Sequence, residues 1–132
     1  MKNIIKGKFS LKATPEPSDE VVQTLGAMRM RFDKVFEGAL DAQGTVSMIG
    51  IMNKELGSGA YVAIERISGT LEGKNGSFCL QHSCTMERNK PEQHITVIPD
   101  TGTDQLQGLK GRMTIDIEKD GQHFYTFEFE IQ

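Results

Sequence analysis

Apolar side chains recur at every second position along most of this chain, and no segment carries the i, i+3, i+4, i+7 spacing that gives a helix its apolar stripe. Successive side chains of a strand point to opposite faces, so this period predicts strands buried on one face. The alternation is cleanest over 108–119. There Leu109, Gly111, Met113, Ile115 and Ile117 share one face, and Lys110, Arg112, Thr114, Asp116 and Glu118 share the other. The last strand sets Tyr125, Phe127, Phe129 and Ile131 against Thr126, Glu128 and Glu130. The first sets Ile5, Gly7, Phe9 and Leu11 against Lys6, Lys8, Ser10 and Lys12.

Strands are expected over 3–13, 26–38, 43–54, 59–72, 76–88, 92–99, 108–119 and 121–131, with Gly, Asn, Asp and Pro gathered between them. Asn75-Gly76 and Asp120-Gly121 supply the positive φ angles of tight hairpin corners, so neighbouring strands run antiparallel. The segment 14–20, with Pro15 and Pro17, reads as an irregular loop. It is followed by a turn of helix at 21–25 and is placed to cap one barrel mouth. The segment 99–105 reads as a second irregular connection, suited to a lid or rim. Strands that follow so closely are best closed on themselves, because closure removes exposed edges. The expected fold is therefore all-β, an eight-stranded antiparallel closed barrel.

A chain of 132 residues is expected to form a single β-barrel domain over 1–132. Its 15 Lys and Arg against 18 Asp and Glu leave a net charge of -3, which argues against a nucleic-acid partner. The N-terminal residues are basic but lead into no apolar run of signal or membrane-span length, so no membrane association is expected and the setting is read as cytoplasmic. Cys79 and Cys84 are an odd number of positions apart and fall on opposite faces of one strand, where they cannot bridge; reduced thiols fit that compartment.

Extending the alternation puts Met28, Met30, Phe32 and Phe36 on the inner face of the second strand, and Val46, Met48, Gly50 and Met52 on that of the third. Methionine here is either flexible core filler or an adaptable lining for a small apolar ligand. The hairpin 59–72 and 76–88 carries the chemistry. With its corner at Lys74-Asn75 or Asn75-Gly76, Tyr61, Ala63, Glu65, Ile67 and Leu71 share a face with Phe78, Leu80, His82, Cys84 and Met86. Glu65 and His82 interrupt that apolar face as near-diagonal neighbours. A buried carboxylate needs a partner, which His82 or a neighbouring Arg can supply. The pair is either a proton-transfer couple acting on a bound molecule or a polar network that fixes strand register. Arg66, Arg29 and Arg31 with Asp33 fall on the polar outer face.

His82 and Cys84 share a face, but no third ligand follows by spacing, so no metal site and no cofactor are expected. His94 and His123 stand alone. The glycines mark strand corners, and no phosphate loop, nucleophile elbow or dinucleotide fingerprint is present.

Three segments carry a family resemblance: 61–71 (Tyr61 to Leu71), 76–82 (Gly76 to His82) and 101–111 (Thr101 to Gly111). Over most of its length the chain resembles a bacterial family of unknown function whose members adopt an allene-oxide-cyclase-like barrel. The resemblance implies an eight-stranded antiparallel barrel and, from the oligomeric plant relatives, self-association. It marks Glu65 and His82 as pattern positions and assigns them no role. The plant cyclases close a ring on a fatty-acid epoxide, and fold does not carry function with it.

Two readings follow. In the first, Met30, Phe32, Tyr61, Phe78 and Phe127 line a cavity for a small apolar ligand, Glu65 and His82 supply its polarity, and the protein is a binder, an isomerase or a cyclase. In the second, the barrel is filled by its own side chains and an outer patch of Ile49, Ile51, Val62, Ile64, Ile95 and Val97 serves self-association or protein-protein interaction. A homo-oligomer, dimer or trimer, is compatible with both.

Overall fold

The computed structural model describes residues 2–132, so Met1 lies outside it. Eight antiparallel strands close into a barrel in sequence order, β1 to β8. They are β1 (Asn3–Glu16), β2 (Met28–Phe36), β3 (Leu40–Asn53), β4 (Ser58–Leu71), β5 (Lys74–Glu87), β6 (Lys90–Val97), β7 (Leu109–Ile117) and β8 (His123–Ile131). A short helix α1 (Glu20–Thr24) joins β1 to β2, started by Asp19, whose carboxylate accepts from the Val22 N–H at 2.9 Å. Among the described residues no helix is long and apolar enough to cross a membrane.

Up-and-down connectivity gives the barrel two different ends. The connections 37–39, 72–73 and 98–108 lie at one end, and 17–27, 54–57, 88–89 and 118–122 at the other. The first end is closed. Segment 98–108 folds over it, drops Leu106 into the core, and is tied to β5 through Thr103 and Thr101. Beneath it Phe78 stacks on Phe127 with ring centroids 5.7 Å apart, and Phe127 on Phe129 at 5.1 Å. Each ring adds about 1.5–3 kcal/mol by leaving water.

Expected and observed elements differ in a few places, each for a local reason. The β4–β5 corner is Glu72-Gly73, with φ of 48° and 81°, and not Asn75-Gly76. Gly76 lies inside β5, where a Cβ would strike the Thr103 carbonyl oxygen, so this glycine admits the closing loop. β1 runs on through Pro15, which pairs with Met30; a proline is tolerated at a strand's end, where few ladder bonds remain to be lost. Ile95 and Val97, expected on the outer face, are buried in the core. The tight Arg88-Asn89 corner sets Ile95 opposite His82 and Val97 opposite Leu80, which turns both inward. Their alternation with His94 and Thr96 within the strand points the same way.

The barrel closes weakly at one seam. β6 and β7 pair only through Ile95–Met113 and Thr96–Arg112. Beyond them the Gln93 amide donates to the Ile115 carbonyl at 3.2 Å and accepts from its N–H at 2.8 Å, replacing a missing rung of the ladder.

Candidate functional site

Three strands deliver one polar cluster to the middle of the barrel. Glu65 on β4 faces inward opposite Val46 of β3 and Leu80 of β5, and His82 lies diagonal to it, opposite Ala63. Moving a two-residue corner by any number of positions changes the pairing register by twice that number, so the inward faces are kept, and in the observed register His82 is the diagonal neighbour of Glu65. His82 Nε2 lies 2.8 Å from Glu65 Oε1. On the other side Lys34 of β2 donates from Nζ to the same oxygen at 3.2 Å.

Lys34 is the partner expected as a neighbouring Arg. It reaches Glu65 across β3, and it does so because the residue opposite it there is Gly44. A Cβ at Gly44 would sit 2.5 Å from Glu65 Oε2 and 3.1 Å from the Phe36 ring, so the glycine is the gap in which the carboxylate lies. Glu65 is fully buried, and Lys34 and His82 are each only 6% exposed. Burial on this scale requires pairing, and the Lys34 ammonium also lies 5.0 Å from the centroid of Phe9. A carboxylate only accepts, so with Lys34 donating to Oε1 the His82 ring donates from Nε2, and in the neutral ring Nδ1 then carries the lone pair. Nδ1 has no hydrogen-bond partner among the described residues. Glu65 Oε2 is buried without a partner.

Above this cluster, toward the open end, the interior is hollow. A cavity of about 280 Å³ is walled by Phe9, Leu11, Phe32, Val46, Met48, Tyr61, Ala63, Ile115 and Ile117, with Lys34 and His82 at its polar floor and His123 also lining it. Of the residues expected to line a cavity, Phe32 and Tyr61 do so. Met30 packs against the wall residues Val46, Met48 and Ala63. Phe78 and Phe127 lie in the filled half, stacked on each other. Glu65 lies behind the floor and meets the cavity through His82 and Lys34.

The alternation missed Lys34, although it falls between Phe32 and Phe36 on a face already assigned inward; a lysine at a core position was the signal. His123, set aside as a lone histidine, lies 5.2 Å from the Phe9 ring. The methionines lie as expected on inner faces, but Met28 and Met52 pair at the open-end tips of their strands and are exposed. With Met48, Met86 and Cys84 they border a second hollow of about 210 Å³, which shares Met48 and Tyr61 with the first. Burial, with the Cys84 thiol alongside, pushes the Tyr61 hydroxyl up to about 12. Among the described residues, no three His, Cys, Asp or Glu side chains gather to hold a metal.

Outside the barrel, Arg31 pairs with Asp33 at 3.0 Å and Arg66 points to solvent, as expected. Ile51, Val62 and Ile64 are more than half exposed, beside a half-buried Ile49 that pairs with Val62 across β3 and β4.

A family model described as "Protein of unknown function (DUF3224)" matches residues 5–129. The structure of a protein of unknown function from the same family, from Shewanella oneidensis MR-1, is similar, with a TM-score of 0.90 and 40% identity over 100% of this chain and 99% of that one. Among curated proteins none matches.

Proposed function

The chain belongs to the DUF3224 family, whose description assigns no activity, and from the site itself we propose that it holds one small, mainly apolar molecule in the open half of the barrel. The observation that carries this reading is the 280 Å³ cavity, with apolar walls above a floor of Lys34 and His82. Apolar walls with a few convergent polar groups are the usual make-up of a small-molecule site, and this volume is near the lower end for one. The walls drive association by burial; the floor orients one polar atom of the ligand. His82, held by Glu65, serves there in proton transfer, which makes an isomerase or cyclase the activity of choice. The free thiols of Cys79 and Cys84 support a reducing, cytoplasmic setting.

Native mass spectrometry of the protein purified from its own host tests the ligand reading. A stoichiometric small molecule is expected, and Ala63→Phe, which fills the cavity, should lose it while staying folded. A protein that is empty and also refuses a panel of small apolar probes overturns the reading.

The exposed stripe of Ile49, Ile51, Val62 and Ile64 supports self-association alongside ligand binding. A closed barrel has no free strand edge, so two copies meet through a face, and this is an apolar face on two adjacent long strands. Sedimentation of Ile64→Lys against the unaltered chain checks it. The variant should sediment as the smaller species, and identical monomeric profiles would reject the dimer or trimer.

A further inference from the structure

Resting on the reading of the cavity as a ligand site, we infer that its ligand is a neutral ketone or aldehyde with a hydrogen on the carbon beside the carbonyl, and that the site moves this hydrogen, isomerising the compound through its enol. The carrying observation is one oxygen with two neighbours. Glu65 Oε1 receives Lys34 Nζ at 3.2 Å and His82 Nε2 at 2.8 Å, and both of those side chains line the cavity. The two nitrogens therefore lie no further apart than those two contacts together allow.

The charges select a neutral ligand. Lys34 and Glu65 compensate each other, and apart from the two histidines the rest of the lining carries no ionisable nitrogen. A carboxylate entering here would lose its water and meet Glu65 behind the floor. A carbonyl oxygen instead accepts one of the remaining Lys34 N–H bonds. His82 supplies the complementary group. Its Nε2–H is held by Glu65, which fixes the ring and leaves the Nδ1 lone pair free in the neutral imidazole. A lone pair and a fixed cation side by side in a low-dielectric pocket are the two groups that enolisation needs.

The step balances without a co-reactant. Nδ1 takes the proton from the α-carbon; the C–H electron pair becomes the carbon–carbon double bond, and the carbonyl π pair moves onto oxygen, where Lys34 holds it. The imidazolium so formed is offset by Glu65. In a β,γ-unsaturated ketone the same proton, returned at the far carbon, leaves the conjugated isomer. His82 and Lys34 are the catalytic residues, and Glu65 is a positioning residue.

Cyclohexanone in heavy water tests this, with α-hydrogen exchange read by proton NMR and binding read from shifts in the protein's amide spectrum. Exchange should run at least about 100-fold faster with the unaltered protein than with His82→Gln, which keeps a donor toward Glu65 and still binds the ketone. Ala63→Phe, which blocks the cavity and leaves the polar cluster in place, should abolish both readouts and serves if His82→Gln does not fold. Glu65→Gln should lower the turnover of exchange with KM little changed, a split that a merely structural role would not produce. Ketone bound with exchange no faster than in His82→Gln overturns the inference and leaves the ligand site standing. So does a cavity that takes cyclohexanol and refuses the ketone. If neither the ketone nor any apolar probe enters, both readings fall.

Discussion

At the closed end of the barrel Phe78, Phe127 and Phe129 stack beneath Leu106, and the core is continuous from wall to wall. At the open end β3 and β4 present Val46, Met48 and Ala63 inward, and side chains of that size leave the hollow above Lys34 and His82. An eight-stranded barrel has an interior that side chains can just fill or that can hold one small ligand, and this molecule does one at each end. Lys34, Glu65 and His82 lie at the boundary, where the filled half keeps water from the carboxylate and the hollow gives access to its partners. The lesson is that stability and site are separated along the barrel axis, so each can be disturbed alone.

The largest disturbance should come from the filled half. Phe127→Ala removes the ring that stacks on both Phe78 and Phe129, and about 3–5 kcal/mol of unfolding free energy should be lost in urea titration. A loss near that of an exposed residue would mean that the two halves do not differ.

Next is the boundary. Lys34→Met strips Glu65 of its cation and should cost about 3 kcal/mol, whereas Lys34→Met combined with Glu65→Leu should recover most of it, because apolar pairs often replace buried ion pairs without loss. The double variant would then be stable but unable to use its cavity floor. Failure to recover would make the pair structural and would sharpen the division in the other direction.

Gly44→Ala should cost less, about 1–3 kcal/mol, since its methyl meets Glu65 Oε2 and Phe36 and both are held by packing. The unfolding midpoint reads the stability, and a shifted His82 imidazole resonance should report the displaced carboxylate in the same sample.

The smallest effect belongs to the open wall and to alkaline pH. Tyr61 keeps its proton up to about 12 when folded, against an ordinary value of 10.0. The folded state therefore binds more protons than the unfolded one between those limits, and the Tyr61 contribution is intact below the lower limit and lost as pH rises through the upper. Tyr125, also pushed up by burial, acts in the same direction. Tyr61→Phe should remove part of the alkaline fall in stability followed by circular dichroism; an unchanged slope would show that Tyr61 is not shielded.

Much of this was legible along the chain. The alternation in β7 and β8 reads directly as inside and outside, because a strand's parity is a local property. The Glu65–His82 pairing held although the corner moved, since displacing a two-residue corner changes the register by an even number and leaves parity unchanged. Lys34 could have been read by the same rule and was overlooked because lysine is an unexpected core residue. Ile95 and Val97 could have been read by it too, since they alternate with His94 and Thr96, and the pairing of Ile95 with His82 and of Val97 with Leu80 agrees with that alternation.

The sequence by itself determined strands, their inward faces, the closed antiparallel barrel and the two polar residues of one hairpin, because all of these follow from period-two order and short corners. Only the tertiary structure decided which end is filled, and that Lys34 reaches Glu65 across Gly44. Those facts depend on the heights at which residues of non-neighbouring strands meet inside the barrel. Phe78 of β5 meets Phe127 of β8, and Lys34 of β2 meets Glu65 of β4, through contacts set by the stagger of the closed sheet and not by any interval along the chain.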